Sequence, residues 1–507
     1  MRLITRVLIV VHRWLGVALA AVFLLWFPSG IVMMYWPFPE VAAEDRLARA
    51  AALDPSAITI TAADAVRRLA LEQPPAQVRL NTYDGRPAYR FRSGREQHVV
   101  FADTGDADPR VTPELMARAA ARWSGQPARA VTVAQVKTVD QWTLQNFRNV
   151  APVWKYAWPD GQQVYVSANT GEVVQATTTA SRTWAYLGAI PHWFYFTPLR
   201  SNGLRWSRVV IWTSGIGTVA AVLGMVIGVW MYSPSKRYRH AGAPTAIPYR
   251  GQKRLHTIFG LLFGLGAVTW AFSGMLSMEP FPLSRGADDQ PDLPELRGRP
   301  RLEDFGAGDV RAILGRLPAG SVKELEFTSF GGTPMYFATL TGGQSRVVPL
   351  GGPPRTEFDR TEIMAMLRRA AGAGGIADLN VIDDYDRYYL DRTGKAPLPA
   401  ILARYTDSQQ TRIYIDPKTA RVVNGYRDGD WMQRWLYHGL HSLNFPWLYK
   451  YRPLWDLVVL TFMIGGTILC VTSLILAWRV LGRKLRAWRP AAAAAPFVSE
   501  DLLSQDS

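Results

Sequence analysis

The alternation of apolar and charged positions divides the chain into four long charge-free runs and two long mixed segments. The runs are Trp14 to Pro39, Val209 to Ser235, Leu255 to Met278 and Leu457 to Trp478. Each has at least 22 residues, and a helix needs about 20 to cross a bilayer, so the pattern predicts four transmembrane helices. A cleaved signal peptide carries an apolar stretch of only roughly 7–15 residues. The first run is longer than that, and it has a counterpart later in the chain.

In the mixed segments the apolar period shifts between two and about 3.6, which predicts α+β domains. Strands are expected at Ala88–Arg92, Gln97–Ala102, Gln162–Val166, Tyr336–Leu340 and Thr411–Ile415. Turns follow several of them: Asp103-Thr104-Gly105, Asn169-Thr170-Gly171 and Asp416-Pro417. Helices are expected at Ala62–Glu72, Pro113–Trp123, Gly308–Leu314 and Arg360–Ala371, and shorter interfacial helices at Trp184–Phe196 and Trp431–Tyr449. Gly286–Pro300 reads as a loop, and the segment after Pro490 as a disordered tail.

The runs match one another in detail. His12, Gly16, Trp26, Ser29 and Gly30 recur as His256, Gly260, Trp270, Ser273 and Gly274, each 244 positions on. Pro37-Phe38-Pro39 returns as Pro280-Phe281-Pro282, and Val99-Val100 as Val347-Val348. At an offset of 249, Val164-Tyr165-Val166 answers Ile413-Tyr414-Ile415, Thr170 answers Thr419, His192 answers His441 and Trp206 answers Trp455. Residues 1–235 and 250–480 therefore read as two copies of one unit: helix, outer domain, helix. Each copy crosses twice, so the two are parallel and related by an axis along the membrane normal.

The net charge of +16 would suit nucleic acid or a membrane surface. Its distribution decides. Arg2, Arg6 and Arg13 precede the first run. Lys236, Arg237, Arg239, Arg250, Lys253 and Arg254 lie between the second and third, and Arg479, Arg483, Lys484, Arg486 and Arg489 follow the fourth. All fall on one side of a four-span topology, which the positive-inside rule makes the cytoplasm. The charge is a topology signal and calls for no nucleic-acid partner. The 19 Trp fit membrane interfaces. The single Cys470 excludes an intramolecular disulfide, and the lack of a C-x-x-C-H run excludes covalent c-type haem.

Of seven histidines, His98 and His240 read as surface residues. His12 and His256 sit just inside the cytoplasmic ends of the first and third runs, while His192, His438 and His441 come shortly before the second and fourth. Ionisable residues at such depths are costly and point to function. Imidazole binds zinc, copper or haem iron. Zinc wants four close ligands, and no acid or cysteine accompanies His12 or His256 within its run. Two imidazoles meeting across an axis suit the two axial positions of one haem iron, which favours electron transfer over oxygen binding. Small residues beside them (Gly16, Gly260, Gly264, Ser29-Gly30 and Ser273-Gly274) would leave room for a flat macrocycle. The reading is two haems, one between His12 and His256 and one between His192 and His441. In a hydrocarbon core of about 30 Å they would lie about 15–20 Å apart. His438, three residues before His441, is either the outer ligand itself or a partner for a propionate or substrate. Symmetry favours His441.

These features resemble the PepSY-associated transmembrane proteins, also called iron-regulated inner-membrane proteins. The resemblance rests on His12-x-x-x-Gly16 with Ser29-Gly30, His256-x-x-x-Gly260 with Ser273-Gly274, the strand–turn–strand runs Val164–Val174 and Ile413–Val423, and His438-x-x-His441 before the fourth span. It extends to about residue 488. Thr-Gly is common where this chain has Ser-Gly, and Gly where it has Ala420. The resemblance implies a bacterial inner-membrane protein with both termini cytoplasmic, holding two non-covalent b-type haems through His12, His256, His192, His441 and, at one site, His438. It further implies reduction of a ferric siderophore or other ferric chelate in the periplasm. No G-x-G-x-x-G dinucleotide fingerprint follows a strand, so the electron donor would be quinol, or a flavin or flavoprotein.

The expected organisation is an α+β membrane protein: a four-helix transmembrane bundle from two parallel repeats, each with a periplasmic PepSY-like α+β domain. The first span with its cytoplasmic N-terminus covers 1–39, the first PepSY-like domain 40–183, an interfacial helix and the second span 184–235, and a cytoplasmic loop 236–254. The third span covers 255–279, the second domain 280–430, an interfacial helix and the fourth span 431–480, and a cytoplasmic tail 481–507. The acidic and aromatic run Asp383–Tyr389 reads as part of the domain fold ahead of a ferric-complex site. The competing functional reading is a membrane-anchored PepSY module that binds a ligand or regulates a peptidase without redox activity. A permease would show broken helices with midplane charges, which this sequence lacks.

Overall fold

A computed structural model describes residues 2–488, apart from 70, 95, 129–130, 146, 282–292, 294–295, 299–300, 307–308 and 373–374. Pro282, Gly308, most of Gly286–Pro300, Arg489 and the tail after Pro490 lie outside the described residues. The protein combines helix and sheet, and four helices are long and apolar enough to cross a membrane: Arg2–Tyr35, Gly203–Met231, Gly251–Leu276 and Leu454–Trp488. Each extends beyond its charge-free run at the N-terminal end. Charged residues at a span's ends keep their polar groups at the interface while the backbone stays helical.

The chain divides into two compact units. The first takes residues 1–28, 213–272 and 460 onward. Its core is Phe27, Ala267 and Cys470, with Phe23, Trp270 and Met463 packed around them. Glycines let aromatic side chains approach the neighbouring backbone. A Cβ on Gly217 would stand 3.0 Å from Phe23, and one on Gly266 2.9 Å from Phe462. Gly465 packs against Phe263 and Gly466 against Phe27 in the same way. Leu262 and Leu265 are each 61% exposed, as suits positions turned to lipid and not to a protein core.

The second unit, residues 29–212 and 273–459, holds the sheets. Strands β1 (Gln77–Tyr83), β2 (Arg86–Ser93) and β3 (Glu96–Phe101) form a meander, as do β10 (Val322–Phe330), β11 (Thr333–Leu340) and β12 (Ser345–Pro349). They join through antiparallel pairing of β1 with β10, giving a six-stranded sheet in the order β12-β11-β10-β1-β2-β3. Alternate residues of one face (Val78, Leu80, Tyr89, Phe91, Leu325, Phe327 and Tyr336) make its apolar core. Two four-stranded antiparallel sheets complete the unit. One is β4 (Thr132–Val136), β5 (Val153–Ala157), β6 (Gln163–Ser167) and β7 (Val173–Thr177). The other is β13 (Ile376–Ile382), β14 (Ala400–Tyr405), β15 (Arg412–Asp416) and β16 (Arg421–Tyr426). A hairpin, β8 (Tyr238–His240) and β9 (Ala243–Thr245), belongs to the first unit.

Strands β6 and β15 hold the same place in their sheets and differ by 249 in residue number. The turns after them correspond too. Gly171 takes a left-handed φ of +66°, and Ala420 takes +49° at the matching position. Ala420 is held there by Asp416, whose carboxylate accepts from the Lys418 amide and the Thr419 hydroxyl.

Caps explain most helix limits. Thr112 accepts from the Leu115 amide and Gly125 closes the helix Pro113–Ser124 in a left-handed conformation. Asp359 caps Arg360–Ala371. The helix expected over Ala62–Glu72 is shorter, Ala62–Arg67. The apolar spacing continues through Leu69 and Leu71, but Pro74-Pro75 leaves too few residues for another hydrogen-bonded turn. The interfacial segments are also broken. Helix Thr179–Leu187 gives way at Gly188 to a turn, Ala189–Trp193, and Gln433–Gly439 is a π-helical turn running into Leu440–Ser442.

Candidate functional site

Four of the five singled-out histidines form two pairs. In the first unit the rings of His12 and His256 stand 6.2 Å apart, centre to centre, inclined by 38°. The Nδ1 atom of His12 is 2.9 Å from the Ala220 carbonyl oxygen. A carbonyl can only accept, so Nδ1 carries the proton and a neutral ring keeps its lone pair on Nε2. His256 Nδ1 lies 3.3 Å from both Thr472 Oγ1 and Ser473 Oγ. The Thr472 hydroxyl donates to the Leu469 carbonyl at 2.7 Å, so it accepts from His256. That again leaves the lone pair on Nε2. This outer-shell arrangement typically fixes tautomer and orientation in metal-binding histidines.

The surroundings of this pair are sorted by its glycines. Gly224 allows the approach of His12, since a Cβ there would meet Cε1 at 2.7 Å. One helical turn beyond each histidine, Gly16 has no atom within 4 Å of an added Cβ, and Gly260 only Leu469 at 3.8 Å. Gly264, expected to leave room for a cofactor, is filled instead by Met225. It is a helix-packing residue.

In the second unit His192 and His441 also stand 6.2 Å apart, inclined by 63°. Their Nδ1 atoms lie 3.4 Å from Ser29 Oγ and 3.0 Å from Ser273 Oγ respectively. Both serines are buried. The two halves agree in finer detail. Phe194 and Leu443, two residues after the histidines and 249 apart, both take left-handed φ, +53° and +47°. Trp206 donates to the Trp193 carbonyl at 2.7 Å, and Trp455 to the Ser442 carbonyl at 2.9 Å. Sequence reasoning read Ser29 and Ser273 as small residues that make room. The available signal was that both serines recur, like both histidines, although at offsets of 244 and 249.

His438 is not in the pair. Its ring packs on Tyr437 at 4.7 Å, and burial, with the charge of Arg434 second, lowers its pKa below the usual range. The π-helical turn adds a residue to the local period, so His438 and His441 do not share the face that α-helical spacing would give them. Arg434 on the same turn was not foreseen. It is 1% exposed. Its Nε donates to the Arg387 carbonyl at 2.7 Å and Nη2 to the Asn444 carbonyl at 3.0 Å, and its guanidinium lies 4.4 Å from the Trp435 ring centre. It ties the histidine-bearing turn to the loop of Asp383–Tyr389. That loop is built as structure. Asp386 accepts from the amides of Tyr388 and Tyr389 and from the Tyr414 hydroxyl, and Tyr385 and Tyr389 donate to the Ala396 and Pro397 carbonyls.

His98 sits in β3, 2.8 Å from an Asp108 oxygen, and His240 accepts from Arg250 in the hairpin at 3.0 Å. Among the described residues no group of three or more His, Cys, Asp or Glu side chains converges as a metal site would need. The pairs are two-ligand sites, which does not suit zinc. Two imidazoles bound end-on to one metal by bonds of about 2.0–2.1 Å, each ring centre about 1.1 Å further on, would stand roughly 6.3 Å apart. The 6.2 Å between ring centres in both pairs agrees with that spacing.

The PepSY-associated TM region family matches residues 9–301, more than half of the chain, a span that includes His12, His192 and His256. The chain belongs to that family. As a PepSY-associated chain with four apolar helices of spanning length, it is a membrane protein. No curated protein matches it significantly.

Proposed function

We propose that this chain is a bacterial inner-membrane electron-transfer protein built of two parallel copies, with its sheet domains in the periplasm as PepSY domains and both termini in the cytoplasm. His12 with His256 would hold one b-type haem on the cytoplasmic side, and His192 with His441 a second on the outer side. When bound, such haems would supply reversible one-electron chemistry. Ala220 and Thr472 keep His12 and His256 in the ligating tautomer, and Ser29 and Ser273 orient the rings of the other pair. The acceptor would be a ferric siderophore or other ferric chelate in the periplasm, and the donor quinol, or a flavin or flavoprotein, on the cytoplasmic side.

The observation that carries this reading is the equal 6.2 Å separation of two histidine pairs whose members recur at fixed sequence offsets. A membrane-anchored PepSY module that only binds a ligand leaves that unexplained. The test is optical. Full-length protein expressed with ample haem should show a reduced b-type spectrum with two haems per chain. His256→Ala and His441→Ala should each remove one, and the double variant both. Colourless wild-type protein would refute the redox reading in favour of the binding module.

A further inference from the structure

On the face of the six-stranded sheet opposite its apolar core lies a cleft of about 620 Å³. That is within the range of roughly 300–1,000 Å³ typical of small-molecule sites. Its floor is the polar set of alternating strand positions: Arg79 and Asn81 on β1, Arg90 and Arg92 on β2, Glu324 and Glu326 on β10. Helices Ala43–Arg49 and Pro113–Ser124 contribute its walls.

The charges of the cleft are unevenly spent. Four of the five carboxylates that line it each have two partners, and the fifth, Glu44, is exposed on the helix Ala43–Arg49. Glu324 takes Asn81 at 2.8 Å and Arg79 at 3.5 Å, Glu172 takes Arg90 at 2.6 Å and Arg46 at 3.9 Å, and Glu326 takes Arg421 at 3.1 Å and Arg297 at 3.0 Å. Asp84 is shared by Arg118 and Arg122. Seven arginines nevertheless line the cleft against five carboxylates. Among the described residues, Arg49 and Arg92 have no ion pair at all. Arg49 lies 4.1 Å over the Trp123 ring, and Arg92 is exposed beside the floor. Carboxylates already saturated with donors have little capacity left for a cation. Exposed guanidinia that no carboxylate neutralises add to the positive potential of the cleft and present forks that match oxyanions.

We propose that this cleft binds a small multivalent oxyanion, carrying several carboxylates or phosphates, with Arg92 and Arg49 as its principal contacts. The proposal goes beyond the redox reading and stands or falls without it, because the cleft contains none of the paired histidines.

The test is calorimetric titration of purified full-length protein, in detergent, with citrate, with tripolyphosphate and with sucrose as a neutral comparator. At least one of the two anions should bind and sucrose should not, and which anion binds tells carboxylate from phosphate. Arg92→Glu and Arg49→Glu should each weaken binding at least tenfold with the thermal midpoint unchanged. Arg239→Glu, an equal charge change on the exposed β8 hairpin, should leave it unaltered. Failure of both anions to bind the wild-type protein, or an equal loss in Arg239→Glu, would overturn the proposal.

Discussion

Ser273 Oγ lies 3.0 Å from Nδ1 of His441, across 168 residues of sequence, and the serine is fully buried. The hydroxyl has no route to solvent, so its position fixes how the imidazole turns. Outer-shell partners of this kind typically change metal affinity about 10–100-fold when removed. Ser273→Ala should therefore weaken haem binding at His192/His441 by about that factor and leave the His12/His256 centre at full occupancy, as read by titrating haem into the apoprotein. Ser273→Thr keeps the hydroxyl and should bind as the wild type does. Equal affinity in Ser273→Ala would remove the serine from the site.

Gly16 and Gly264 make opposite predictions although both are small residues near the same histidine pair. A Cβ at Gly16 would have no protein atom within 4 Å, whereas one at Gly264 collides with Met225. Gly16→Leu should keep the thermal midpoint of the haem-free protein but lower haem content at the His12/His256 centre. Gly264→Leu should lower the midpoint with or without haem, since overpacking typically costs about 1–3 kcal/mol. Full haem retention in Gly16→Leu would place the bound group elsewhere.

The four spans and the paired histidines were legible because the membrane enforces simple rules: long apolar helices, charges at their ends, and costly histidines that need a reason. The offset of 249 also carried the matching strands β6 and β15 and their turns. Other features could not be read from spacing. The pairing of β1 with β10 joins residues such as Val78 and Phe327, and a period-two pattern names a strand's buried face but not its neighbour. The π-helical turn at Gln433–Gly439 changes which residues share a face without altering composition. Arg434 looked like one more basic residue at the end of a domain, because its burial arises from carbonyls at Arg387 and Asn444, distant or irregular in sequence.

His438 gives the protein a dependence on pH. Burial, then the charge of Arg434, lowers its pKa below the ordinary value of 6.5. The folded state then binds fewer protons than the unfolded one near that pH, so stability rises with pH there. The contribution of the neutral ring is complete above about pH 6.5 and is lost as pH falls through the window below it. The thermal midpoint should drop between about pH 7.5 and about pH 5.5, and His438→Gln should make that drop smaller. An identical drop in the variant would assign the effect to other groups.

Arg434 sets two large terms against each other. Burying a guanidinium without an ion pair is costly by several kcal/mol, and among the described residues no carboxylate lies within ion-pair distance of it. Its two hydrogen bonds to carbonyls are charge-assisted and worth about 1.5–3 kcal/mol each. Arg434→Met removes both the cost and the bonds, so the change in global stability should stay within about 2 kcal/mol. Arg434→Lys keeps a buried charge but cannot span the Arg387 and Asn444 carbonyls with a planar fork, and should destabilise by about 3 kcal/mol. The conservative replacement is thus expected to be the worse one. Both variants release the turn that carries His441, so both should lower haem occupancy at His192/His441 and spare His12/His256. Thermal denaturation separates the two variants, and haem content reports the shared effect. Better tolerance of Lys than of Met would mean that charge, and not the bridging of two carbonyls, is what the position requires.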